Sequence, residues 1–142
     1  MAYKIFLDTD VIIDFLVDRR PHAIESSKIF KLSEEGLLSI CTSSLCICNV
    51  HYIIRKVVGD VKARNIIEKL LELIDVADVT KKNILDALVS DFRDFEDAVQ
   101  YSVALNEIGV KSIITRNTKD YSSSVISVLN PDLFITIFEN EP

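Results

Sequence analysis

The stretch KIFLDTDVIIDFL (residues 4–16) places three acidic side chains within a segment that is otherwise fit for a protein interior. Asp8 directly follows a short run of bulky residues, which is typical of a buried strand. A carboxylate at the edge of a core is costly unless a positive group holds it. Asp8, Asp10 and Asp14 therefore either cap and solvate a helix or hold a metal ion.

The rest of the chain alternates short apolar runs with segments that have helical periodicity. Strands are predicted at residues 3–8, 37–41, 76–80 and 111–115. Helices are predicted at residues 22–36, 45–57, 81–90 and 94–109 and from residue 60 onward, while residues 131–140 fit a helix or a strand. Helices separate the strands and no two-residue hairpin turns occur. We therefore predict a three-layer α/β/α fold with a parallel central sheet, as a single domain over residues 1–142.

The composition excludes several classes of protein. The chain of 142 residues is 49% hydrophobic and has three Gly and three Pro, which is unlike a disordered segment. The apolar runs are too short to span a bilayer, and the N-terminus lacks the pattern of a signal peptide. We therefore expect a cytoplasmic protein without a membrane partner. Cysteines at 41, 46 and 48 form a poor disulfide framework, and we expect them to be small core residues.

Polar side chains follow the predicted strands at the edge of the sheet where ligands collect in parallel α/β folds. The chain has DTD at 8–10, TSS at 42–44, DVT at 78–80 and TRN at 115–117. Asp97 lies on a later helix, at the border of its apolar face. Hard cations such as Mg²⁺ and Mn²⁺ prefer oxygen ligands, and acids packed closely would repel one another without a cation. Asp8 and Asp97 are therefore candidate ligands of a metal that activates water for attack on a phosphodiester.

Four segments in this order resemble the PIN domain, a family of small metal-dependent ribonucleases that includes the VapC-type toxins of bacterial toxin–antitoxin pairs. They are FLDTDVIIDFL at 6–16, TSSLCICNVHYIIRK at 42–56, DFEDAVQYSVAL at 94–105 and SIITRNTKDY at 112–121. The family's acid after the first strand falls on Asp8, and its acid in the helix with an Asp-Ala pair falls on Asp97. Its loop after the fourth strand falls on Thr115, Arg116, Asn117 and Asp120.

The resemblance implies an endoribonuclease that depends on Mg²⁺ or Mn²⁺, with RNA as its substrate and a cognate antitoxin protein as its partner. Asp8 and Asp97 would hold the metal. The shell would be completed, directly or through water, by Asn117, Asp120 and Asn49. The family often dimerises, and the high apolar content permits a homodimer.

Three further polar residues are expected to contact the substrate. Arg116 would stand beside the acids, where a guanidinium can bind a phosphate through a fork of donors. Ser43 and Ser44 are chiefly helix-cap material, but their hydroxyl groups would face the same edge of the sheet. The net charge of −6 is unfavourable for binding RNA, because affinity for phosphates comes from Lys and Arg, so a local basic rim is required.

One position departs from the family pattern. Asn49 stands where PIN nucleases usually carry a Glu, and an amide brings no negative charge and is a poor general base. Helix spacing does not favour an inward position for Glu96, so compensation from there is not expected. A weakened PIN domain that binds RNA or a protein without cutting is therefore the alternative. A phosphotransfer receiver is disfavoured, because Lys119 lies in a loop and does not close a strand.

The remaining acids have structural interpretations. Asp10 is expected to cap the first helix, because Asp is a preferred capping residue. Asp14 and Asp18 are expected on a solvated helix face. Asn117 and Asp120 are also common turn residues, so closing a turn is an alternative role for both.

Overall fold

The computed structural model describes residues 3–140, with helices between most of the strands. The strands are β1 (Tyr3–Leu7), β2 (Leu38–Ser43), β3 (Asp75–Ala77), β4 (Val110–Ile114) and β5 (Ser127–Leu129). The helices are α1 (Thr9–Leu16), α2 (His22–Glu34), α3 (Ser44–Val58), α4 (Asp60–Leu70), α5 (Lys81–Leu88), α6 (Phe95–Asn106) and α7 (Pro131–Asn140), with a 3₁₀ turn at Thr118–Tyr121. Residues 1, 2, 141 and 142, which the predicted domain also includes, lie outside the described residues.

The five strands form one sheet in the order β3-β2-β1-β4-β5, and every neighbouring pair is parallel. The predicted parallel sheet is therefore confirmed. After β3 the chain crosses to the other side of β1 to form β4. The carboxyl ends of β1 and β4 consequently meet at a topological switch point, which is where open α/β sheets bind ligands.

Side chains of β1 alternate between the two faces of the sheet. Ile5 and Leu7 pack in the larger apolar cluster, which includes residues of α1 to α4 and α7. Phe6 packs on the opposite side, against Val103 and Ala104 of α6. Ile5, Phe6 and Leu7 are fully buried, as expected for a central strand with helices on both faces. The predicted three-layer arrangement is therefore confirmed.

The structure corrects or completes four details of the prediction. The short edge strand β5 was not predicted, and β3 begins one residue earlier and ends three residues earlier than expected. The ambiguous segment 131–140 is a helix, whose first turn is capped by Asn130 Oδ1 accepting from Leu133 N at 2.8 Å. Cys41 and Cys46 are buried, but Cys48 is exposed on α3, because it faces away from the sheet.

Within the described residues no helix is both long and apolar enough to cross a bilayer.

Candidate active site

A cavity of about 480 Å³ opens at the carboxyl ends of β1 and β4. Six of its lining residues are acids: Asp8, Asp10, Asp94, Glu96, Asp97 and Asp120. It is also lined by Asn49, Asn117 and two arginines, Arg19 and Arg116. The structure therefore brings the predicted residues Asp8, Asp97, Asn49, Asn117, Asp120 and Arg116 together in one place. Sequence reasoning did not assign Asp10, Asp94, Glu96 and Arg19 to this site.

Asp8 is fixed at the floor of this cavity by hydrogen bonds. It is the N-cap of α1, and its Oδ1 accepts from Thr9 N at 2.8 Å. Its Oδ2 accepts from Thr115 Oγ1 at 2.9 Å and from Tyr121 OH at 3.3 Å. Burial raises the pKa of Asp8 above its usual range, although these bonds oppose the shift. The carboxylate of Asp8 thus caps α1 and also lines the cavity.

Asp97 faces other acids across the cavity. It lies in the first turn of α6, where its backbone N–H donates to the capping carboxylate of Asp94 at 2.9 Å. Burial raises the pKa of Asp97 to about 7, and the carboxylates of Asp8, Asp94 and Asp120 contribute to the same shift. Because like charges disfavour ionisation, this group of acids would be stabilised by a cation.

The loop after β4 brings Asn117 and Asp120 to the same side. Asn117 Nδ2 donates to Asp120 Oδ2. The loop is also closed locally, since Asp120 N donates to Asn117 O at 3.2 Å and Asn117 N donates to Thr115 Oγ1 at 3.0 Å. Both residues therefore close the turn and line the cavity, so the two predicted roles are compatible.

Glu96 contacts Asn49, contrary to the expectation that it would face away. Asn49 Nδ2 on α3 donates to Glu96 Oε2 on α6 at 3.1 Å, and both residues line the cavity. The expectation was wrong because Glu96 lies in the first turn of α6, from which its long side chain reaches across to α3. A carboxylate is therefore present beside the position where the family usually carries a Glu.

Asp10 does not cap the first helix, because Asp8 occupies that position. Asp10 lies in the first turn of α1, and its Oδ2 accepts from the backbone N–H of Arg116 at 3.1 Å. Its Oδ1 is buried and has no hydrogen-bond partner among the described residues. Burial, followed by the charge of Asp8, raises the pKa of Asp10 to about 6. The repeated acid in DTD was the signal for a second carboxylate here.

Asp14 is fully buried and not solvated as expected. Its side chain accepts from Arg19 Nε at 2.6 Å and from Arg116 Nε at 2.7 Å. The spacing of four residues from Asp10 puts both acids on one face of α1, and this face lies against the loop after β4. That spacing was the sequence signal that Asp14 shares a face of α1 with Asp10.

Ser43 and Ser44 do not line this cavity. Ser43 is fully buried, where its Oγ accepts from Cys46 N at 3.0 Å and donates to Gln100 Oε1. Ser44 Oγ accepts from Val79 N at 3.1 Å. Both hydroxyl groups therefore stabilise the start of α3 and its contacts, in keeping with the capping role, and neither is positioned to touch a ligand in this cavity.

The donor set of the cavity fits a hard divalent cation. Within residues 3–140 no three or more His, Cys, Asp or Glu side chains form a ready-made metal cluster. Two observations nevertheless indicate missing positive charge: the buried Asp10 oxygen without a partner, and the raised pKa of Asp97. The ligands on offer are carboxylate and amide oxygens, which Mg²⁺ and Mn²⁺ prefer.

Comparisons with known proteins agree with this architecture. The sequence is 29% identical to "Ribonuclease VapC1" of Aquifex aeolicus, over 92% of each chain. The fold is similar to a chain in the crystal structure of VapBC2 from Rickettsia felis bound to promoter DNA, with a TM-score of 0.63, 14% identity and coverage of 89% of this chain and 97% of that one. A toxin–antitoxin complex from Klebsiella pneumoniae gives the same TM-score and coverage at 20% identity.

A third solved structure is VapC20 of Mycobacterium tuberculosis, described as a sarcin–ricin loop cleaving toxin. It matches with a TM-score of 0.61 and 17% identity, over 77% of this chain and 86% of that one. At these identities the three structures establish a shared fold. A family model for the PIN domain matches residues 4–119, from β1 to the start of the 3₁₀ turn. Because that match covers most of the chain and all but one of the acids around the cavity, this protein belongs to the PIN domain family.

Proposed function

We propose that this protein is a divalent-metal-dependent endoribonuclease and the toxin of a toxin–antitoxin pair. The observation that carries the proposal is the set of acids around Asp97, whose pKa is raised to about 7 by burial and by neighbouring carboxylates. Such a set is unfavourable in itself and becomes favourable when it binds a cation. The likeness to a ribonuclease over 92% of the chain supports the same class of reaction.

Asp8 and Asp97 would hold Mg²⁺ or Mn²⁺, with Asp120 and Asn117 beside them. Bound there, the metal would supply an activated water and stabilise the charge that develops on a phosphodiester. The protein's own groups orient the ligands: Thr115 and Tyr121 donate to one oxygen of Asp8 and so fix its carboxylate. Fixing a ligand in this way typically strengthens metal sites.

The contact between Asn49 and Glu96 favours the enzyme over the binding-only alternative. The amide of Asn49 is neutral, but Glu96 Oε2 lies 3.1 Å from its nitrogen and brings a negative charge to the same side of the cavity. We propose that Glu96 replaces, from α6, the charge that the family usually places on α3. It would act through the metal shell or by orienting a water.

The primary experiment is a cleavage assay on structured and single-stranded RNA with Mg²⁺, with Mn²⁺ and with a chelator. We expect cleavage with either metal and its loss with the chelator. Cleavage that persists with the chelator would exclude a metal-dependent mechanism. RNA binding without cleavage in either metal would establish the binding module instead.

Replacing Glu96 by Gln is expected to lower the cleavage rate about tenfold and to weaken Mn²⁺ binding, because the charge beside Asn49 is lost. Calorimetric titration with Mn²⁺ and the cleavage assay measure the two effects. Glu68→Gln, an exposed acid on α4, is the matched control and should change neither. An unchanged Mn²⁺ affinity in Glu96→Gln would contradict the proposal that Glu96 replaces the charge missing at Asn49.

The partner proposal is separate from the reaction. Two of the structural neighbours are a VapBC assembly and a toxin–antitoxin complex, which supports an antitoxin as a partner of this chain. A small DNA-binding protein encoded next to this chain is the candidate. We expect its co-expression to relieve growth inhibition by this protein and to yield a complex that co-purifies. Growth inhibition that is unaffected by the neighbouring protein would contradict the pairing.

A further inference from the structure

The end of α1 turns back on Asp14 through a left-handed residue. Asp18 has φ +51°, and the next residue, Arg19, donates its backbone N–H to Asp14 O at 3.0 Å. This bond is of the type that closes a helix in a Schellman motif. It fixes the backbone of Arg19 beside Asp14, and the side chain then donates from Nε to Asp14 Oδ1 at 2.6 Å.

A second arginine reaches the same carboxylate from the loop after β4. Arg116, directly after β4 and next to Thr115, donates from Nε to Asp14 Oδ2 at 2.7 Å and from Nη2 to Asp14 Oδ1 at 3.2 Å. Its backbone N–H is also held, by Asp10. Two guanidinium groups from separate elements are therefore oriented by one fully buried acid.

These three side chains carry one net positive charge at the rim of an acidic cavity. The side chains of Arg19 and Arg116 remain 44% and 31% exposed, whereas Asp14 is inaccessible. Within residues 3–140 both terminal nitrogens of Arg19 and Nη1 of Arg116 have no hydrogen-bond partner. The pair therefore offers several free donors that are already held in place, which lowers the entropy cost of binding an oxyanion.

We propose that Arg19 and Arg116, oriented by Asp14, bind a backbone phosphate of RNA next to the phosphodiester that reacts at the acids. This assignment rests on the proposed ribonuclease function and deepens it. The two arginines line the same cavity as Asp8 and Asp97, so a strand bound at the acids would share this cavity with them. Asp14 is a positioning residue in this assignment, because it acts through the arginines and is too buried to touch RNA.

The test is the salt dependence of RNA binding. A fluorescent single-stranded RNA is titrated with the full chain in Ca²⁺, which takes oxygen ligands, at salt concentrations between about 50 and 200 mM. The RNA is checked to be intact at the end of each titration. Arg19→Ala and Arg116→Ala should each reduce the slope of log affinity against log salt by about 0.7, the value for one lost phosphate contact on a single strand.

The control variant is Arg20→Ala, which removes the neighbouring arginine that pairs with Asp18 in solvent. It should leave the slope unchanged. Arg19→Lys should keep the slope and lose affinity, because lysine keeps the charge but not the planar fork. This variant also retains a partner for Asp14, so a change in folding does not decide the result.

The outcomes distinguish a failure of the proposed phosphate contact from a failure of the proposed ribonuclease function. If the parent protein cleaves RNA but neither alanine variant changes the slope, the arginine pair is excluded and the ribonuclease stands. If the parent protein neither cleaves nor binds RNA, both proposals fail. If only binding to the antitoxin weakens in the variants, the pair is a protein contact and the phosphate assignment is wrong.

Discussion

Replacing Asp14 by Ala is expected to lower the free energy of unfolding by about 3 kcal/mol, because it removes the buried carboxylate that pairs with both Arg19 and Arg116. Asp14 is fully buried, so its loss also leaves a void beside the cavity. The arginines can partly recover by turning toward water, since both are partly exposed, which keeps the effect at the lower end of the range for broken buried pairs. Denaturation by urea, with circular dichroism, measures the change.

The matched control for this prediction is Asp86→Ala. Asp86 also pairs with a cation, Lys82, but both side chains are largely exposed, at 45% and 70%. Exposed pairs of this kind contribute little to stability, so we expect a much smaller loss than in Asp14→Ala. Equal losses in Asp14→Ala and Asp86→Ala would mean that the buried pairing does not stabilise the fold.

Replacing Asp97 by Asn is expected to have opposite effects on activity and on stability. Cleavage of RNA should fall about 100-fold or more, because a proposed metal ligand loses its charge. Without metal, the same change should raise the stability by about 1 kcal/mol, since it removes one of several repelling carboxylates. This figure is small because Asp97 is only half-buried, so solvent screens its neighbours. The cleavage assay measures the loss of activity, and melting curves with and without Mn²⁺ measure the change in stability.

The pH dependence follows from the same group. The folded protein binds the Asp97 proton more tightly than the unfolded chain does, since the pKa is raised to about 7 in the fold. The contribution of Asp97 to the stability without metal is therefore fully present below about pH 4 and is lost as the pH rises through about 7. Asp97→Asn should flatten this fall. Equal pH dependence of the metal-free parent and of Asp97→Asn would contradict the repulsion among these acids.

Asp8→Asn is the informative comparison for Asp97→Asn. The oxygens of Asp8 accept from Thr9 N, Thr115 Oγ1 and Tyr121 OH. An amide at this position has one acceptor oxygen in place of two, so the two hydroxyl groups would have to change their hydrogen-bonding roles. We expect it to lose metal binding and also about 1 to 2 kcal/mol of stability. A gain in stability would show that repulsion outweighs the cap.

Local patterns predicted most of the fold. Bulky runs ending in Asp8 or Thr115 predicted the central strands, and Gly36 and Gly59, both at positive φ, mark the chain reversals after α2 and α3. The edge strand β5 was missed because three half-exposed residues carry no periodic signal. Residues 131–140 were ambiguous because a continuous apolar run fits a helix or a strand equally well.

The sequence predicted the site residues that follow strands. It did not predict the residues whose burial or orientation depends on long-range contacts. Asp8, Asn117 and Asp120 come directly after β1 and β4, so topology alone brings them together. The burial of Asp14 depends on Arg116, which lies 102 residues further along the chain. The position of Glu96 depends on the rotamer of a long side chain and on its neighbour Asn49. Spacing within one helix carries no information on either.

Asp8 both lines the cavity and supports the fold, so evolution should treat it differently from Asp97. A lineage that no longer benefits from the reaction is expected to lose Asp97 readily, because its replacement by Asn is predicted to stabilise the metal-free fold. It cannot exchange Asp8 as easily, because the start of α1 and the loop after β4 are both attached to that carboxylate. Decayed copies of this protein should therefore keep Asp8 long after they have lost their chemistry, and its presence alone is a poor marker of an active enzyme.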